Sequence, residues 1–348
     1  MTPRAAASTA LGPVLSVLLA LGMLSLALFV LGYAPLPALS ALTSGAFGSG
    51  AAWTATLLKA SPLLFTGLGV ALSFRCGVWN IGAEGQLYAG ALAATAVATR
   101  LLPRAPALVL APLTTLSGAA GGALLAAIAG GLRAARGVSE VISTILLNFV
   151  AIQFVALAVH GPLQETSRAY PQSDALPGAA LLPAVGRLHV GVAIAVALAF
   201  GVHLLISRTS LGFRMRAVGL SPTAARFAGI SPERHALVSI AIAGALAGLA
   251  GAFEVAGVTE RLYEGLSPGY GYTAIAVALL ARLNPLAVVP AALFFGALEA
   301  GAGAMQRTAG VPSVVTQIVQ GLVILVFVAI PFAGRRALVP GTPGDAAP

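Results

Sequence analysis

The sequence predicts an all-α, polytopic integral membrane protein: one transmembrane domain over residues 1–348, about ten spanning helices (8–10), both termini cytoplasmic. Three observations carry this. Only 8% of the 348 residues are charged, against roughly 25% in soluble domains. Hydrophobic residues make up 58% of the chain and the mean hydropathy is +0.96, so the solvent for most of this surface is lipid. The apolar residues gather in stretches close to the roughly 20 needed to cross the hydrocarbon core. The 41 Gly and 22 Pro fall short of the roughly 25–30% that marks low-complexity disorder, and membrane helices tolerate both.

Ten candidate spans follow in order: Leu11–Tyr33, Leu57–Phe74, Gln86–Leu102, Ala107–Leu132, Val138–His160, His189–Ile206, Ala236–Gly257, Leu262–Leu283, Pro285–Ala304 and Val311–Phe332. The eighth has a clean apolar run only from Thr273 to Ala281, which suits a half-helix or a re-entrant segment. With Arg4 inside, the loops alternate. Twelve cations (Arg4, 75, 133, 136, 208, 214, 216, 226, 234, 282, 335 and 336) then fall on the cytoplasmic side. Seven (Lys59, Arg100, Arg104, Arg168, Arg187, Arg261 and Arg307) fall outside. That asymmetry is the positive-inside pattern. The first apolar run, about 20 residues, exceeds the 7–15 of a signal-peptide core, which favours an uncleaved helix. The segment 161–188, with four prolines and Gln164, Glu165 and Asp174, reads as an irregular external cap; the segment 207–235, with five arginines in 29 residues, reads as a cytoplasmic loop.

Several functions are excluded or weakened. The net charge of +9 is 18 Arg and one Lys spaced singly between apolar stretches, which is topology rather than a nucleic-acid patch. A single cysteine, Cys76, makes neither an internal disulfide nor a metal cluster. The only lysine, Lys59, follows Thr-Leu-Leu and not a Walker A glycine run, so the chain does not hydrolyse ATP by that route. The four histidines lack ligand spacing and read as interface anchors. No metal or cofactor is expected, and no catalytic motif stands in a plausible setting.

Two features carry information. The first is the stretch from Gly212 to Arg234. Ser221 suits an N-cap, Pro222 the first helical position and Gly229 the left-handed C′ position. They delimit a short helix, Pro222–Ala228, with Arg226 and Phe227 exposed, and Ser231-Pro232-Glu233 caps the next helix in the same way. Such a helix suits docking into a groove on another protein; a solvated or lipid-surface loop is the alternative. The second feature is the set of polar residues at bilayer depth, where they are costly. Asn80 and Glu84 share a face if their segment is helical. Glu140, Thr144 and Asn148 form a stripe at i, i+4, i+8, although an ion pair of Arg136 with Glu140 would also account for Glu140. Glu254 and Glu299 lie on other spans, where arginines that the sequence does not identify could pair with them.

Gly118-x-x-x-Gly122 and Gly244-x-x-x-Gly248, extended to Gly251, favour close helix approach. A weak internal echo relates Ala71–Arg75 and Gly90-Ala-Leu-Ala-Ala to Val277–Arg282 and Gly296-Ala-Leu-Glu-Ala, as in transporters built from two halves; chance in an Ala- and Leu-rich chain also yields such echoes.

Asn80-Ile-Gly-Ala-Glu-Gly-Gln86, Glu140-Val-Ile-Ser-Thr-Ile-Leu-Leu-Asn148, the run Arg216–Ile230 and Gly269-Tyr-Gly-Tyr-Thr273 continuing to Pro285 occur in order across Ser61–Phe332. Together they resemble the permease subunits of bacterial ABC importers for nucleosides and simple sugars. The resemblance implies an inner-membrane subunit without catalysis of its own. Its implied partners are cytoplasmic ABC ATPase subunits, a second similar permease (or a second copy of itself) and an external binding lipoprotein or periplasmic protein. It further implies that Ser221, Pro222, Ala225, Arg226, Phe227 and Gly229 form the coupling helix that seats on the ATPase. The Asn80–Gln86 motif resembles the nucleoside branch more than the ribose or galactose branch. Where family members often carry Asn before the coupling-helix proline this chain has Ser221, and both residues cap helices.

The expected mechanism is alternating access, with Asn80, Glu84, Gln86, Asn148 and Tyr272 as candidates to line the path. Two readings of another class remain. A secondary transporter would take up substrate without ATP, and a channel or scaffold would show no substrate-dependent ATPase stimulation.

Overall fold

The computed structural model describes residues 21–312 together with 314, 315, 317, 318 and 321. The expected spans Leu11–Tyr33, in its first part, and Val311–Phe332, for most of its length, lie outside the described residues, as do Arg4, Arg335 and Arg336.

The chain enters through α1 (Leu21–Val30) and α2 (Pro35–Phe47). Then α3 (Gly50–Arg75) starts at Ser49, whose hydroxyl accepts the Ala52 amide at 3.1 Å. An all-round apolar sequence puts α3 in the bundle interior, buried from Ala60 to Ser73. Next come α4 (Ala83–Ala96), extended by a π turn over Val97–Leu101, and α5 (Ala107–Arg136), stopped by Gly137 at φ 67°. These lead to α6 (Glu140–His160) and α7 (Gly191–Arg208). After two short helices, α8 (Ser210–Leu220) and α9 (Pro222–Phe227), α10 (Pro232–Glu254) runs on through a π turn to Thr259. The described chain closes with α11 (Tyr270–Leu280) and α12 (Pro285–Ala309).

Among the described residues six helices, α3, α5, α6, α7, α10 with its π turn, and α12, are long and apolar enough to cross a membrane. The third expected span is instead 14 residues of α-helix with a 5-residue π extension. The eighth is an 11-residue helix reached through irregular backbone over 260–269. Non-helical backbone at such depth is tolerated where protein covers it. Two helices were not anticipated, α2 and α8. Pro35 opens α2, since proline fits the first turn of a helix, whose amides are unpaired.

In lipid, helices associate through close packing rather than the hydrophobic effect. The two small-residue motifs face each other across the α5–α10 crossing. A Cβ at Gly248 would strike the Gly118 carbonyl, and one at Gly122 the Gly244 carbonyl. Helix α10 thus packs on α5, α4 and α3, while α12 packs on α3 and α2.

Charged residues pair at the two ends of the bundle. At one end Arg261 Nη1 lies 3.1 Å from Glu165 Oε2, and His160 Nδ1 lies 3.1 Å from Glu264 Oε1. Arg133 and Glu140 pair at the other end at 2.6 Å. The i, i+4 pair of Arg136 with Glu140 does not form. Gly137 ends α5 and Glu140 opens α6, so the two residues are not on one helix.

The segment 161–188 is less irregular than expected. It carries one 3₁₀ turn (Gly178–Ala180) and a small hairpin of β1 (Ala184–Val185) and β2 (Leu188–His189). Ser173 and Leu262 exchange hydrogen bonds, with the Ser173 amide 2.7 Å from the Leu262 carbonyl. Two of the histidines are buried rather than interfacial: His189 takes the Gly191 amide, and His235 contacts the Ser231 carbonyl.

Candidate functional site

The centre of the bundle is built around a break in the chain. After α3 the backbone runs without helix from Val78 to Gly82 and then opens α4. Buried amides and carbonyls there need partners. The polar stripe of α6 supplies them: Glu140 Oε1 accepts from Trp79 N at 3.4 Å, Thr144 Oγ1 from Ile81 N at 3.3 Å and Asn148 Oδ1 from Gly85 N at 2.8 Å. Asn148 Nδ2 also donates to the Ile81 carbonyl at 2.9 Å. The i, i+4, i+8 spacing that marks the stripe in sequence therefore matches a row of backbone groups on the neighbouring segment.

Asn80 and Glu84 do not share a helix face, because α4 begins at Ala83. Asn80 instead forms a reciprocal amide pair with Gln86, Nδ2 to Oε1 at 3.1 Å and Nε2 to Oδ1 at 2.9 Å, and its Oδ1 also accepts the Gly82 amide. Glu84 reaches across to the second irregular segment, where Oε2 accepts the Gly271 amide at 2.6 Å in the first turn of α11. Gly271 has no room for a side chain, since a Cβ would collide with the Glu84 backbone. Tyr88 Oη accepts from Ser267 N at 3.2 Å one turn further along α4. Four of the five sequence candidates, Asn80, Glu84, Gln86 and Asn148, are thus brought together, each at most 2% exposed. Tyr272 is 41% exposed and, with Glu299, lines a cavity of about 290 Å³.

A separate feature stands at the Arg133–Glu140 end of the bundle. Ser221 Oγ accepts the Ala224 amide at 3.2 Å, Pro222 takes the first helical position, and Gly229 adopts φ 77°. The Ile230 amide returns to the Ala225 carbonyl at 2.9 Å, closing the helix end. Ala225 is buried beneath the turn, whereas Phe227 is 90% and Leu220 88% exposed. Arg226 is paired with Glu233, a partner that its sequence neighbourhood did not disclose.

A broken-helix core with buried polar staples, and a separately capped helix at one end, is the geometry of a transport subunit. Residues 52–328 match the family described as branched-chain amino acid transport system / permease component. The chain belongs to that family. This permease is 38% identical to the glucose ABC transporter permease protein TsgB13 of Haloferax volcanii, over 93% of this chain and 88% of the relative. It is 37% identical to the guanosine ABC transporter permease protein NupP of Bacillus subtilis, over 93% and 94%. To the nucleoside ABC transporter permease protein NupB of Lactococcus lactis it is 31% identical, over 92% and 90%.

The permease also holds functional candidates that the sequence reading passed over. Lys59 entered only as an external cation, yet its ammonium donates to Tyr270 Oη at 3.1 Å, 211 residues away in sequence. That it is the chain's only lysine, and sits inside an apolar span, was the signal available.

Proposed function

We propose that the chain is the membrane-spanning subunit of an ATP-driven ABC importer that takes up nucleosides across the inner membrane. About ten spans (8–10) with both termini cytoplasmic, the segment of α11 being a half-helix or re-entrant, an external cap over 161–188 and a cytoplasmic loop over 207–235 complete the proposed topology. ATP is hydrolysed on a separate ABC ATPase. A second permease and an external binding lipoprotein or periplasmic protein complete the importer.

The observation that carries the substrate is likeness along more than nine-tenths of the chain to permeases for guanosine and for nucleosides, joined to the Asn80–Gln86 motif. Coupling runs through Ser221–Gly229, whose exposed Phe227, with Leu220 just before it, offers an apolar contact that a solvated loop has no use for. Closure of the ATPases moves α9 and with it α8 and α10. In the core, Asn80, Glu84, Gln86 and Asn148 act on the path as its wall, by fixing where α4 and α11 begin, and Tyr272 faces the cavity. Uptake of labelled guanosine by vesicles holding the complete importer tests this reading; ATP-dependent accumulation supports it and its absence rejects it.

A second reading, an importer for a simple sugar, is favoured by the glucose permease at 38% identity. Glucose accumulation in the same vesicles, without guanosine accumulation, selects it.

A further inference from the structure

We infer that Lys59, Glu254 and Tyr270 form a binding subsite for the vicinal hydroxyls of a neutral polyhydroxylated substrate, in a cavity separate from the stapled core. This rests on the importer reading above and adds a place where substrate is held.

The cavity encloses about 440 Å³, within the roughly 300–1,000 Å³ of small-molecule sites. The first half of α3 forms one wall, including Thr54 and Lys59, and the end of α10 another, with Glu254 and Val258. The turn of the external hairpin closes it with Gly186 and Arg187, and the start of α11 contributes Tyr270. Lys59 lies nine residues into α3, about 14 Å along the helix axis.

Glu254 is the decisive residue. It is 7% exposed, and among the described residues its carboxylate enters neither an ion pair nor a side-chain hydrogen bond. A buried carboxylate left without donors is expensive, yet this residue lines open volume, where a ligand can supply the donors. Lys59 Nζ has three N–H donors and directs one to Tyr270 Oη, which leaves donors for a ligand. One acceptor pair facing one multiple donor fits a diol: the carboxylate takes two adjacent hydroxyls, and the ammonium donates to a ring or hydroxyl oxygen. The Tyr270 ring, 5.6 Å from Nζ, supplies an apolar surface beside them. A cationic ligand is disfavoured by Lys59 and Arg187 together.

Because Lys59 is the only lysine, amine modification reports on this cavity alone once the N-terminal amine is set aside by peptide mass spectrometry. The assembled importer in native membranes is treated with formaldehyde and cyanoborohydride, and dimethylation of the Lys59 peptide is timed. Saturating uridine is expected to slow modification at least about fivefold, and 2′,3′-dideoxyuridine, which lacks the diol, less than twofold. In Glu254→Gln the protection by uridine is lost while Lys59 still reacts. Rates unchanged by both uridine and glucose overturn the subsite, as does a Lys59 that never reacts in the folded importer. Equal protection by uridine and its dideoxy analogue overturns the diol assignment. Protection by glucose and not by uridine keeps the subsite and overturns the nucleoside reading instead. If Glu254→Gln does not assemble, the wild-type arms decide.

Discussion

The Glu84 carboxylate accepts the amide of Gly271 at 2.6 Å, tying the first turn of α4 to the first turn of α11. Two segments that lack helical hydrogen bonds are thereby fixed against each other, and an acceptor meets one of the amides at the N-terminal end of α11 that have no partner within the helix. Glu84→Ala leaves the Gly271 amide buried without an acceptor, at a cost of about 1–3 kcal/mol. Thermal unfolding in detergent is expected to show that loss for Glu84→Ala and a smaller one for Glu84→Gln, which keeps a carbonyl acceptor.

Asn148 holds both a donor and an acceptor of the 81–85 backbone. Asn148→Leu conserves bulk and removes both bonds, so about 2–4 kcal/mol of destabilisation is expected from two orphaned groups. Folded yield after extraction should fall more than for Thr144→Val, which orphans a single backbone group of the 78–85 segment, the Ile81 amide; the other bonds of that hydroxyl run to carbonyls of its own helix.

Phe227 is 90% exposed and contributes little to the fold, so Phe227→Asp is expected to leave extraction and unfolding unchanged within about 0.5 kcal/mol. A pull-down with the ATPase should lose the complex. Arg226→Glu should lose it too, and adding Glu233→Arg, which restores the ion pair with reversed sign, should recover local stability without recovering association.

Glu165 anchors the 161–188 segment. Its carboxylate accepts from Ser167 Oγ at 2.7 Å, Gln172 Nε2 at 2.7 Å, Tyr170 N at 3.0 Å and Arg261 Nη1 at 3.1 Å. The Ser167 and Gln172 donors, ahead of Arg261, hold its carboxyl below the usual carboxylate range. A depressed carboxylate adds stability above its unfolded pKa, near 4.3, and loses it as pH falls through the lower folded value. The unfolding temperature of wild type should therefore exceed that of Glu165→Gln at pH 6–7, and the two should converge as pH falls from the unfolded carboxylate value through the lower folded one.

The helix punctuation was legible. Ser221, Pro222 and Gly229 act as their residue types dictate, and the glycine motifs of α5 and α10 pack as small-residue motifs do. What the sequence withheld was pairing between elements. Asn80 meets Gln86 because the chain leaves helix before Ala83, which no periodicity marks. Glu140 takes Arg133 rather than Arg136 because Gly137 turns the chain. Lys59 and Tyr270 meet only through the packing of α11 on α3. A polar residue in an apolar span announces that it has a partner, and only the fold says which one.

The most direct test is uptake of labelled guanosine into inside-oriented vesicles carrying the permease with its second permease, ATPase and binding protein, with and without ATP and with Phe227→Asp as comparison. The importer reading predicts accumulation that requires ATP and disappears in Phe227→Asp. Accumulation that proceeds without ATP, or survives Phe227→Asp at full rate, would contradict it.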